Sequence, residues 1–315
     1  MKARVEKETS LPPGRRAATP LIRALCAAIT VAAAGCAPGA EEPGVPRGEA
    51  RVAAPAPGTL ALAERALAEG RYGEAGILLD RVLLDAPDDP RAKLIAAELF
   101  LAQGAPKPAA EAFGSVTPSP EVGAAALQGE GIALLLLGER DAGYASLRRA
   151  VEADPTLWRA WNALGYYYDL RGAWEQAAVS YLKALAANPR SAVVHNNRGF
   201  SLLMQQRFEE AQEDLERAVR IDPGFVLARE NLRLALAWQG KYLHALSGVP
   251  EKGRAKALNN IGFIALLRGD YANAEAFFLR AMELDPSYNE IASRNLAYLN
   301  DVRSLDTNAS RRGIR

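Results

Sequence analysis

Cysteine is nearly missing from this chain: its 315 residues include two, Cys26 and Cys36. Both fall within the first 36 residues, so the rest of the chain can form no disulfide and perform no thiol chemistry. Histidine is equally sparse. His195 and His244 stand far apart with no cysteine beside them, which leaves a metal centre without ligands. No apolar run approaches the ~20 residues that a membrane-spanning helix needs. Neither sign of charge dominates, with 38 basic and 37 acidic residues and a formal net charge of +1. A nucleic-acid surface would need a basic excess. Phosphate-cradling loops, nucleophile elbows and HExxH pairs are all absent. Paired acids such as Glu209-Glu210 and Asp88-Asp89 fall at exposed helix or turn places, where solvation explains them. These absences point away from an enzyme, and no catalytic residue, cofactor, metal or small-molecule substrate is expected.

What the chain does have is a 34-residue period. Gly131, Gly165 and Gly199 are 34 apart, as are Pro155, Pro189 and Pro223, and Ala150, Ala184 and Ala218. The clearest unit runs from Trp158 to Ser191. Within it Trp161, Leu164 and Tyr168 share one face of a first helix, and Ala177, Tyr181 and Ala184 share one face of a second. Gly165 and Ala177 are small enough to let the two helices approach closely. Gly172 lets the chain turn between them, and Pro189 stops the second helix. Trp161 reads as a core residue, and His195, one period later at the same place, as a packing residue.

These residues at this spacing resemble tetratricopeptide (TPR) repeats. The resemblance covers Ala56 to about Asp301. It implies an all-α fold, a right-handed superhelical solenoid of about seven helix-turn-helix units with a C-terminal capping helix. The units are expected at 56–89, 90–123, 124–157, 158–191, 192–225, 226–254 and 255–288, with the cap at 289–302 and a disordered tail at 303–315. The second unit is degraded, with Pro106 and Pro108 intruding on its second helix. The sixth is short: SGVPEKG follows Ala245, and Arg233 replaces the small residue at the close contact.

The N-terminus reads differently. Arg15, Arg16 and Arg23 precede an apolar run, Ala24–Ala34, that ends in Gly35-Cys36. Basic residues, a short apolar run and small residues form a secretion signal, and AAAGC resembles a bacterial lipobox. That resemblance implies lipidation at Cys36, with residues 1–36 as the signal peptide. Ala37 after the cysteine implies sorting to the periplasmic face of the outer membrane. An ordinary cleaved signal and a cytosolic cysteine are the alternatives. Residues 37–55, rich in Pro, Gly, Ala and Glu, read as a flexible tether. Without residues 1–36, which hold six basic and two acidic residues, the balance becomes 32 basic against 35 acidic.

First helices of such units line a concave groove. Asn197, Asn231 and Asn260 occupy one place in their units, and Asn162, Asn196 and Asn259 the place before it. Asparagine is a poor helix former, and its amide both donates and accepts. The series resembles the asparagine ladder with which some TPR proteins hold extended peptides; the alternative is bonding to solvent or to neighbouring helices. Tyr166, Phe200, Leu234 and Phe263 lie three places on, with Trp238 nearby. Together these eleven residues form the expected peptide-binding groove. A clamp for a terminal carboxylate is not expected, because Lys256 joins Asn231 but Leu227 and Asn260 fill the other basic places.

The signal, the tether and the C-terminal repeat pair around the shortened unit resemble the Flp-pilus (tight-adherence, TadD-like) assembly lipoproteins. That resemblance implies a non-catalytic scaffold, anchored in the membrane by lipid, whose partner is a secretin or another pilus or secretion assembly subunit. Type IV pilus pilotins are the rival resemblance. A scaffold for cell-wall or exopolysaccharide enzymes and a cytosolic TPR adaptor are further alternatives.

Overall fold

The structure is a computed structural model, and it describes residues 58–285 and 289–311. The expected signal peptide, Cys36 and tether lie outside the described residues. Within them the chain forms fifteen helices and no strand: α1 (Thr59–Ala68), α2 (Tyr72–Asp85), α3 (Pro90–Ala102), α4 (Pro106–Val116), α5 (Gly123–Leu136), α6 (Arg140–Ala153), α7 (Trp158–Leu170), α8 (Trp174–Ala187), α9 (Ala192–Met204), α10 (Phe208–Ile221), α11 (Val226–Trp238), α12 (Tyr242–Leu246), α13 (Glu251–Leu267), α14 (Tyr271–Leu284) and α15 (Asn289–Arg311). They pair as consecutive hairpins, α1 with α2 through α13 with α14, and α15 packs on the last pair. The protein is therefore all-helical, in the tetratricopeptide arrangement.

The hairpins form because each helix carries one apolar stripe that its partner covers. In the fourth pair the Cβ that Gly165 lacks would fall 2.6 Å from the Tyr181 ring, so α7 and α8 touch where no larger residue fits. Gly131, Gly199 and Gly262 stand at the same place against Leu147, Leu215 and Phe278. The sixth pair departs from this pattern. Its second helix, α12, has five residues, and Arg233 occupies the glycine place, bonded to Glu230 at 2.5 Å. A second helix this short leaves room for the arginine stem.

Side chains of unlike chemistry close the joints between pairs. Trp161 Nε1 donates to the Pro155 carbonyl at 2.9 Å, and the His195 Nε2 lies 3.3 Å from the Pro189 carbonyl. Arg229 donates to the Pro223 carbonyl. Indole, imidazole and guanidinium thus tie the start of a first helix to the proline that ends the preceding pair.

Two sequence expectations need correction. Pro106 does not intrude on α4; it opens it, at the first position, where its missing N–H is not needed. The first helix of the last unit starts at Glu251, behind Pro250, one turn ahead of the unit's own start at 255. The tail expected from 303 is helical through Arg311, because neither Gly nor Pro interrupts the chain from Asn289 to Arg312. Arg303 also anchors this stretch to Glu275 of α14 at 2.8 Å.

Two compact units divide the described chain within α9, one of residues 58–197 and one of residues 198–311. In the first, the largest buried cluster centres on Phe113, Ile132, Leu147 and Leu164. In the second it centres on Leu215, Ile261, Phe278 and Leu299.

Candidate functional site

The asparagines expected to face a partner are for the most part turned inward. Asn162, Asn196, Asn231 and Asn259 are 1–7% exposed. In the first unit, Asn197 Nδ2 donates to Asn162 Oδ1 at 3.1 Å, and Asn196 Nδ2 donates to Asn197 Oδ1 at 3.1 Å. These bonds join α7 to α9. In the second unit, Asn295 Nδ2 donates to Asn259 Oδ1 at 2.9 Å and joins α13 to α15. The physical reason is burial: an amide between two helices must find a partner there, and the nearest is the amide of the next first helix. Asn162, Asn196, Asn197 and Asn259 thus form seams between repeats, one within each unit.

Two members of these seams escaped the sequence reading. Gln128 on α5, buried, accepts from the backbone N–H of Ala160 at 3.0 Å and so caps the first turn of α7. It lies 34 residues before Asn162, a spacing that could have found it. Asn295 lies 36 residues after Asn259, as Asn197 lies 35 after Asn162.

Leu234 and Trp238 are also buried, against the groove expectation. Leu234 belongs to the core of the second unit, and the Trp238 ring stacks on Phe208 with centroids 5.3 Å apart. The remaining groove candidates are half-exposed: Tyr166 and Asn197 in the first unit, and Phe200, Asn260 and Phe263 in the second. Burial pushes the Tyr166 phenol up, which keeps it neutral and a hydrogen-bond donor.

On the first-helix side of the first unit, Arg159 of α7 makes a two-pronged ion pair with Glu98 of α3 at 3.0 and 3.2 Å. The pair reaches across α5 and links helices two repeats apart. Alternate first helices can meet this way only where their face is concave.

The opposite side of that unit holds a cleft of about 660 Å³ between α6 and α8, floored by α7. Val151, Trp161, Leu164, Tyr168 and Val179 supply apolar surface. Lys183 lies 4.0 Å from the Trp161 ring centroid, in cation–π geometry. Trp161 is therefore half-buried at the cleft floor, where a fully enclosed core position was expected.

Among the described residues, the titratable groups with shifted pKa values include phenols and scattered carboxylates. Tyr166, Tyr168, Tyr181 and Tyr242 have phenols raised chiefly by burial, and of the carboxylates lowered by their neighbours Asp88 and Glu210 are exposed and Asp154 is half-exposed. Among the described residues no group of three His, Cys, Asp or Glu could hold a metal, and no helix is long and apolar enough to cross a membrane.

Comparison with known proteins agrees with this architecture. Tetratricopeptide-repeat models match residues 60–120, 192–225 and 255–288. A type IV pilus assembly protein, PilF of Pseudomonas aeruginosa, is 27% identical over 162 residues, 51% of this chain and 54% of that protein. The chain thus spans about half the length of this relative, and 41% and 10% of two other curated relatives that it matches. A solved thermophilic TPR protein of Thermus thermophilus aligns with a TM-score of 0.51 and 23% identity, over 56% of this chain and 97% of that one. A chain of the APC/C hetero-tetramer Cut9-Hcn1 aligns with a TM-score of 0.57 and 15% identity, over 76% of this chain and 48% of that one. At these identities the two structures speak for the fold alone.

Proposed function

We propose that this tetratricopeptide-repeat protein, homologous over half its length to a type IV pilus assembly protein, is a scaffold for envelope machinery. It assists assembly of a Flp/Tad-type pilus or secretion apparatus while anchored by lipid to the periplasmic face of the outer membrane. The homology with the pilus assembly protein carries this reading. The lipobox-like Val31-Ala32-Ala33-Ala34-Gly35-Cys36 run supports the anchor. A lipid on Cys36 restricts the repeats to a thin layer, which raises their effective concentration for partners in the same membrane. Each unit by itself offers half-exposed contacts for a segment of a secretin subunit: Tyr166 in the first, and Phe200, Asn260 and Phe263 in the second. The repeats hold the segment and do no chemistry on it.

A second reading, favoured by the same relative, is a pilotin that delivers the secretin of a type IV pilus. The two share the anchor and the partner class and differ in the machine served.

Labelling with radioactive palmitate tests the anchor. Label on the wild type, lost in Cys36→Ser, is expected. Deletion of the gene tests the role: secretin multimers should disappear from the outer membrane. An unlabelled wild type, or normal multimers and pili without the protein, would contradict the proposal.

A further inference from the structure

Helix α8, like α2 with its exposed Ile77 and Leu84, turns apolar residues to solvent. Val179 and Leu182 are 51% and 56% exposed, and Glu175, Lys183 and Ala186 are exposed around them. Glu175 and Lys183 lie eight residues apart, about 12 Å along the axis at ~1.5 Å per residue, with Val179 midway. On α2, α6, α10 and α14 one outward arginine in each case pairs within the helix or from its cap: Arg71 with Glu74, Arg148 with Glu152, Arg207 with Glu210, and Arg280 with Glu283. On α8 Glu175 and Lys183 do not. Among the described residues no carboxylate forms an ion pair with Lys183, whose ammonium rests on the Trp161 ring, and no cation pairs with Glu175.

We propose that α8 is a self-association surface, on which a second copy of this chain packs its own α8 antiparallel about a two-fold axis through Val179. The charge pattern dictates that arrangement. Centring an antiparallel helix pair on Val179 places Glu175 opposite the partner's Lys183 and Lys183 opposite the partner's Glu175. Symmetry makes every contact twice, so two ion pairs flank an apolar centre. Leu182 of the partner subunit then faces Gln176, at the rim of the cleft between α6 and α8. The apolar floor of that cleft gives the leucine side chain somewhere to enter. A parallel pairing would put like charges together. One helix pair and its margins form a small interface, which places the dimer among weak and reversible ones. The exposed ion pairs set orientation and register more than strength.

Sedimentation equilibrium of the full chain from about 1 to about 100 µM, the range in which weak complexes form and dissociate, reads the association. The average mass should rise from one copy towards two. Glu175→Lys and Lys183→Glu should each weaken association at least about tenfold, because each sets like charges face to face. An equimolar mixture of the two variants should recover it to within about threefold, since each charge then meets its opposite. Both substituted positions are exposed, so the helical circular dichroism should stay unchanged. A chain that stays single throughout, a dimer that neither substitution weakens, or a mixture no better than its components would overturn the proposal.

Discussion

Gly165→Ala sets two physical effects against each other, and the structure says which wins. Alanine in place of glycine inside a helix is favourable by about 1 kcal/mol. At Gly165 the new Cβ would lie 2.6 to 2.8 Å from three atoms of the Tyr181 ring, far inside contact distance. That ring cannot withdraw: it is 1% exposed, and its hydroxyl donates to Asp169 Oδ2 at 2.7 Å. Overpacking of this kind costs about 1–3 kcal/mol, and three clashing ring atoms put this site in the upper half of that range. The net expectation is a loss of about 1–2 kcal/mol. Gly76, inside α2, is the control. Its Cβ would meet only Leu99 Cδ2 at 3.7 Å, and Gly76→Ala should stabilise by up to about 1 kcal/mol. Urea titration followed by circular dichroism measures both. Amide hydrogen exchange in α7 and α8 localises the effect, which matters because repeat arrays open in parts. If Gly165→Ala stabilised the chain as much as Gly76→Ala, the close approach of α7 and α8 would be wrong.

Asp89→Ala should cost about 1 kcal/mol in the same titration, because the Asp89 carboxylate caps α3 by accepting from the N–H groups of Arg91 and Ala92 at 2.8 and 3.1 Å. Asp214→Ala should cost about 2–3 kcal/mol; it removes the buried partner of Arg198, bonded at 2.5 and 2.6 Å, and an unchanged midpoint would deny that pair any role in stability. Above pH ~10 stability should fall, because burial holds the Tyr181 phenol well above its ordinary value of 10.0 while the unfolded chain gives up that proton. Thermal melts across that range should show a shallower decline for Tyr181→Phe, and identical slopes would dismiss the assignment.

Much of this architecture is legible in the sequence because each unit repeats the same packing problem every 34 residues. Small residues recur in pairs at the close contact: Gly131, Gly165, Gly199 and Gly262 are followed twelve residues later by Gly143, Ala177, Ala211 and Ala274, respectively. Arg233 breaks the series where α12 is short, so even the exception has a visible cause. The asparagines were harder. Recurrence shows that a place needs an amide, but an amide facing a peptide and one facing the next helix leave the same trace. Only the 3.1 Å bond between Asn162 and Asn197 and the 2.9 Å bond between Asn259 and Asn295 separate the two readings. The cleft beside α8 left no trace at all, since it depends on the space between α6 and α8 and on no motif. Trp161 matches the repeat pattern yet lines that cleft, so pattern membership did not fix its burial.

The most direct test of the account is a titration of the folded chain with a purified secretin subunit, comparing two pairs of substitutions. Tyr166→Ala with Phe263→Ala removes a half-exposed aromatic ring from each unit and should weaken binding at least about tenfold. Asn162→Ala with Asn259→Ala opens the seams, lowers the stability by about 1–2 kcal/mol per site, and should leave the affinity of the folded chain within about threefold of wild type. The opposite result, lost affinity in the asparagine pair at unchanged stability, would make those amides the grip on the partner and contradict the seams.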